Sequence, residues 1–383
     1  MSMARHLLAM LALAGAAPAL AATTCDNSNL YSFDFGSQAT TQLAYGSTYS
    51  YTATNGAAAT RSFSVNFTQN GLSSTSAGGF VMPRIDNSVL MTPANGRVLT
   101  IGGTFSARTP SITGSTRVIT TTFTFAVPVR ELSILAHDID FASNQFRDWL
   151  YISGSDGTST FTDPVLTLNA SPTLRVGPGG TPSLLANEAM GTGANANNAA
   201  NGNISILFNQ PVTSVTLRYG NYPLGTGEAV TGQQAMGIST LSFCPVPNVA
   251  VTKSSTPYDT TGTTRFAVPG ADMIYALTVT NSGGSTVDVN SLVLTDVLPA
   301  NVTFYNGDFN SGSPGMGPFD VIAGTSTVTL PSAGRAYSNT GGATYVYAPA
   351  AGYDPAVNAI RLTPSGTMAA NSSFTIRFRA RVK

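Results

Sequence analysis

Residues 117–157 read RVITTTFTFAVPVRELSILAHDIDFASNQFRDWLYISGSDG. Val, Ile, Thr and Phe alternate through RVITTTFTFAV, and the same two-residue period returns in LSILAHDI and WLYISG. A period of two is the signature of a strand with one buried face, whereas an amphipathic helix repeats every three to four residues. SFSVNF, ISILF, VTSVTLRY and ISTLSF carry the pattern along the chain, separated by Gly, Asn, Pro and Ser, and helical periodicity is nearly absent. The expected fold class is all-β, built as antiparallel β-sandwiches.

Composition narrows the partners. Charged residues make up 9% of the 383-residue chain and the net charge is zero. Nucleic acid and anionic membrane both select a basic face, so neither is an expected partner. Lysine occurs only as Lys253 and Lys383. The first residues, MSMARHLLAMLALAGAAPALA, combine a short basic start, an apolar run too short to span a bilayer and an Ala-Leu-Ala cleavage pattern. They read as a secretory signal peptide over 1–21. No later apolar run reaches transmembrane length, so a secreted or cell-surface location is expected. The last strand, FTIRFRARVK, has no sorting signal after it, which suits free secretion, the periplasm or retention by a partner.

Two cysteines in an exported chain most simply pair, and Cys25 with Cys244 would tie the first and last strands of one domain. The sequence divides at CPVPNVA, where two prolines around Val246 make a stiff connector. We read a disulfide-closed, jelly-roll-like sandwich over 22–245, a linker at 246–248 and an immunoglobulin-like sandwich over 249–383. The Gly- and Asn-rich segment 177–203 reads as an exposed excursion with one helical hint, SLLANEAM.

Within the second domain, VAVTKSSTP, PGADMIYALTVTNSGG and LVLTDVLPANVTF follow one another in order. On these motifs residues 248–383 resemble the conserved-repeat β-sandwich of bacterial surface proteins, a domain of unknown function of type eleven. The resemblance implies a stalk or spacer module and no catalytic residues. FTFAVPVRELSILAHDID, DWLYIS, NISILFNQPVTSVTLRYGN and ISTLSFC resemble, in architecture, the jelly-roll modules of Gram-negative surface proteins and carbohydrate-binding sandwiches. Some stalk domains similar in layout carry a Lys–Asn isopeptide cross-link; Lys253, Asn371 and Asp296 are the residues here that would correspond, with a solvated Lys253 as the competing reading.

Catalysis has little material. After the leader the only imidazole is His137, and no G-x-S-x-G elbow accompanies it. The three glutamates, Glu131, Glu188 and Glu228, mark no acid pair, so a non-catalytic protein is expected. Chemistry concentrates instead around His137. Strand parity extended past it places Leu132, Ile134, Ala136, Asp138 and Asp140 on one side, with Leu135, His137, Ile139 and Phe141 on the other. Asp148 shares its face with Leu150 and Ile152, opposite Trp149 and Tyr151. Three core-side carboxylates need partners. Either backbone N–H groups and Arg147 or Arg130 supply them, making a loop clasp, or Ca²⁺ does, with Asn144 and loop carbonyls completing the shell. Trp149, Tyr151, Tyr219 and Tyr222 raise a parallel choice between core packing and a sugar-stacking platform. Two functions are consistent with these residues: a structural or adhesion protein whose partners are surface glycans or other envelope proteins, or a calcium-dependent carbohydrate-binding protein.

Overall fold

The alternation at 118–137 folds as one strand of 20 residues, Val118–His137, in a computed structural model of the chain. The structure describes Cys25 and residues 29–222, 231–258, 266–287, 289–310 and 317–383; the expected signal peptide, 1–21, lies outside the described residues. The first half of the long strand runs between Thr60–Asn70 and Val212–Asn221. Its second half runs between Ile204–Phe208 and Gly232–Pro245. Ile119, Thr121, Phe123 and Phe125 are buried in the first half, and Leu132, Ile134 and Ala136 in the second. Inward positions thus change from odd to even.

The change falls where Glu131 has φ 52° and the pairing with Gly232–Pro245 slips between Arg130 and Ser133. A one-residue slip turns every later side chain to the opposite face. Here it lets one strand serve two leaves of sheet while its apolar residues stay in one core. Phe146–Ser155 extends the first leaf, between Val212–Asn221 and Glu188–Gly191. Tyr31–Asp34 and Val98–Phe105 extend the second, both on Gly232–Pro245. Cys25 and Cys244 form a disulfide with a Cα–Cα distance of 5.9 Å. It joins a residue ahead of Tyr31–Asp34 to the strand on which Tyr31 lies opposite Phe243.

The segment 177–203 is not only an excursion. Glu188–Gly191 is a strand with all four residues buried, held between Phe146–Ser155 and Leu174–Val176. Partners on both sides, rather than local preference, decide its conformation.

The described residues up to Val246 form one compact unit and those from Pro247 another. In the second, the sheet order is Val249–Pro257, Asp272–Asn281, Ser372–Val382, Val302–Asn306, Gly352–Asp354, with Phe319–Ile322 also on Ser372–Val382; a smaller sheet runs Leu294–Val297, Ala359–Leu362, Arg335–Ser338. Leu277, Val279, Phe304, Ile360, Phe374 and Phe378 share its core. Apart from short 3₁₀ turns, the described residues hold no helix, and none is long and apolar enough to cross a membrane.

Lys253 is paired with an acid and mostly covered, and its strand register sets it away from Asn371. Its Nζ donates to Asp296 Oδ1 at 2.6 Å, the two side chains being 15% and 8% exposed, and it lies 5.0 Å from the Tyr275 ring centroid. Lys253 stands opposite Leu277, and Leu277 opposite Ile376, whereas Asn371 lies just before that strand, at its Ser372 end and away from Ile376. The pair links one strand of each sheet. Burial pushes the Asp296 carboxyl up, while Lys253 pulls it back through its hydrogen bond and charge.

Lys253→Met would leave that carboxylate buried without its cation. A carboxyl raised in the folded state adds stability that is full below its unfolded pKa and lost as pH rises through the folded one. The substitution is therefore expected to cost little at pH 4 and about 2 kcal/mol at pH 7, below the range for fully buried pairs because Lys253 is partly exposed. Urea unfolding at both pH values measures it, and equal penalties would refute the assignment.

Candidate functional site

The long strand ends at His137, and Asp138 takes φ 61°. That turn cancels the parity extended from Leu132: Ile139, expected beside His137, is fully buried in the main core. Asp138 and Asp140 occupy a loop rather than one strand face. A left-handed φ outside glycine is commonest for Asn and Asp, which is the local reason that this residue type can end the strand so abruptly.

The loop is laid into the 191–203 segment. Ile139 N–H donates to Gly202 O at 2.9 Å and Phe141 N–H to Gly193 O at 3.1 Å. Asn195 N–H donates to Asp140 Oδ2 at 2.9 Å, and its side-chain amide to Asp138 Oδ1 at 3.1 Å. Two glycines make room, since a Cβ on Gly191 would meet Asp140 O and one on Gly202 the Asp138 Cα. Asp148, with Leu150 and Ile152, is fully buried. Its Oδ2 accepts Asp140 N–H at 3.1 Å, and its Oδ1 accepts Tyr219 Oη–H at 2.5 Å and the Gln234 amide at 3.3 Å.

The electrostatics follow from burial. It pushes Asp138 up to about 7, helped by the Asp140 charge and opposed by Asn195, and Asp140 up to about 6. Asp148 is pushed well above the usual carboxylate range, again by burial first. His137, 2% exposed, shares a 2.6 Å hydrogen bond with Ser239 Oγ. Burial lowers its imidazole to about 4. It is neutral near pH 7 and closed in, which suits a core role.

Several expected partners are elsewhere. Arg147 donates through Nη1 to Gly191 O and lies 3.8 Å from the Phe141 ring centroid; Arg130 pairs with Glu131. Asn144 is exposed at the tip of the Phe141–Phe146 turn, with φ 58°. The donors to the acids are instead Asn195, Tyr219, Gln234 and the backbone. Among the described residues no three His, Cys, Asp or Glu side chains converge as a ready metal shell.

The aromatic platform does not form. Tyr219 is fully buried in the main core, turned toward Asp148. Trp149 and Tyr222 are each 8% exposed and pack edge to face at 4.7 Å, in a separate cluster with Ile112, Val118, Leu184 and Met190, against which the half-buried Tyr151 leans. Strand pairing explains the split. Tyr219 lies opposite Leu150, and Gly220 opposite Trp149, so the Trp149 side of the pair has no ring from Tyr219.

Asn195, Gln234, Gly191 and Gly202 carry no signal of their own in the sequence. They reach the acids from segments about 50 to 90 residues distant, and only the run of Gly and Asn around Asn195 stands out by composition. What the residues define is a doubly leaved antiparallel β-sandwich with a buried acidic clasp at one end of a shared strand. In comparisons with known proteins, the chain matches no family model and no curated protein.

Proposed function

We propose that the chain is an exported, non-catalytic β-sandwich protein of a bacterial surface or secretome, acting in envelope architecture or adhesion. The observation that carries the reading is the Cys25–Cys244 disulfide, since such bonds persist in oxidising compartments outside the cytosol. The near-neutral composition and the motif resemblance of 248–383 to surface-protein repeats support it. So does the placement of the polar cluster, which faces inward and serves the loop. Sugar stacking through Trp149 is not part of the proposal, because its ring is packed against Tyr222.

The test is expression of the gene with its own leader in a bacterial host, with compartments separated and the cysteines mapped by mass spectrometry. Chain beginning near Ala22, oxidised and outside the cytoplasm, is expected. Full-length reduced chain confined to the cytoplasm would overturn the proposal. On a glycan array, wild type and Trp149→Ala are expected to give the same blank profile; a Trp149-dependent signal would restore the carbohydrate reading.

A further inference from the structure

Three carboxylates share the end of the first sandwich. Asp138, Asp140 and Asp148 are 9%, 5% and 0% exposed, and the Asp140 charge acts on both of the others. Among the described residues no Lys or Arg forms a salt bridge with any of them. Buried like charges without a counter-ion are costly. Asp148 is largely accounted for, since its two oxygens receive three donors. Asp140 is not: Oδ2 receives Asn195 N–H, while buried Oδ1 has no donor.

Gln234 supplies an independent observation. It is 2% exposed and comes from the strand Gly232–Pro245, remote in sequence from the loop. Its amide nitrogen donates to Asp148 Oδ1 at 3.3 Å and to Gly220 O at 3.0 Å, which sets the amide against Asp148, the residue that also accepts the Asp140 N–H. Its Oε1 is buried with no donor. Two buried acceptor oxygens, one on Gln234 and one on Asp140, thus lack donors on groups that both bond to Asp148, and a water, a proton or a cation would fill that lack.

We propose that Asp138, Asp140 and Gln234 form a binding site for a hard divalent cation of the calcium type. Such an ion takes six to eight oxygens, with amide and backbone carbonyls alongside a few carboxylates. The site needs only two carboxylates. Zinc would call for His or Cys; His137 is held on Ser239 and both cysteines are in the disulfide. Asp148 acts as a positioning residue, holding the Asp140 N–H and the Gln234 amide. The ion would fasten the 138–140 loop to the 191–203 segment.

The test uses the full chain stripped with EGTA, then titrated with Tb³⁺ and Ca²⁺. Trp149, next to Asp148 and the only tryptophan, serves as the sensitiser of Tb³⁺ luminescence. Luminescence saturating at one ion per chain and displaced by Ca²⁺ is expected, with a melting temperature several degrees higher in 1 mM Ca²⁺ than in EGTA. Asp140→Asn, similar in shape, is expected to weaken Tb³⁺ binding at least tenfold. Wild-type protein with no sensitised signal and no shift would overturn the site. So would binding that Asp140→Asn leaves unchanged, which would place the ion elsewhere. A melting temperature that rises with acid but ignores Ca²⁺ would assign the neutralisation to protons and equally overturn it. The wild-type titration decides even if the variant fails to fold.

Discussion

Reduction of the Cys25–Cys244 bond is expected to lower the melting temperature of the first unit by about 10–20 °C. The bond closes a sequence separation of 219 residues, and in the chain-entropy model a loop of that length is worth roughly 5 kcal/mol. A domain of this size shifts by about 2–4 °C per kcal/mol. Residual denatured structure lowers the figure, so it is an upper bound. Strand pairing near the bond gives the cross-link something to hold: Tyr31 and Phe243 face each other with ring centroids 5.8 Å apart, and Phe243 meets Phe125 at 4.9 Å. Without the bond, Tyr31–Asp34 is a strand of only four residues, held on Gly232–Pro245 by its pairing and packing alone. Calorimetry of the full chain with and without a phosphine reductant, repeated on Cys25→Ser/Cys244→Ser, measures the effect. With two compact units two transitions are expected, and only that of the unit holding the bond should move. A shift below about 3 °C would mean that the loop is already restrained in the denatured chain.

The strands were legible because their signal is local. Alternation in RVITTTFTFAV, WLYISG and VTSVTLRY records which side chain faces the core, and no distant partner is needed to see it. In Phe146–Ser155, Asp148, Leu150 and Ile152 are all fully buried, as the shared face requires. Parity failed where one backbone angle breaks it. Glu131 and Asp138 both have φ above 50°, and each resets the count for the residues after it. Neither is a glycine, so composition gave no warning. Asp138 to Asp140 therefore looked like the end of a strand face when it is a loop.

The site's partners were hidden for a different reason. A carboxylate that must be satisfied shows in the sequence as a demand, but not as an address. Arginine was the obvious supplier; yet Arg147 covers Phe141 and Gly191 O, while amides and a phenol reach the acids. Tyr219 illustrates the ambiguity best. An aromatic residue with a polar tip suits a sugar platform or a buried hydrogen bond equally well, and only its strand register, opposite Leu150, turns it inward. The same register leaves Trp149 in its own cluster, so rings that look like neighbours in a list of aromatics belong to different faces.

Gly191→Ala offers the sharpest probe of the clasp. Glycine is required here by close approach rather than by its own φ: an added Cβ would lie 1.7 Å from Asp140 O and 2.0 Å from Asp140 C. Those atoms are backbone, and no rotamer can clear them. Either the strand Glu188–Gly191 leaves Phe146–Ser155, or the Asp138–Asp140 loop lifts and gives up its bonds to Asn195 and to the backbone of Asp148. Overpacking ordinarily costs 1–3 kcal/mol, and a lost hydrogen bond to a charged group about 1.5–3 kcal/mol more. The total comes to about 4 kcal/mol, or roughly 10 °C in the first unit's transition. Gly193→Ala is the matched control. It lies two residues on in the same segment, but a Cβ there has nothing within 4 Å, so the change should stay within about 0.5 kcal/mol. Urea unfolding of the two variants beside wild type separates the cases. Equal penalties would mean that the segment tolerates or resents alanine throughout, and that Asp140 does not rest on Gly191.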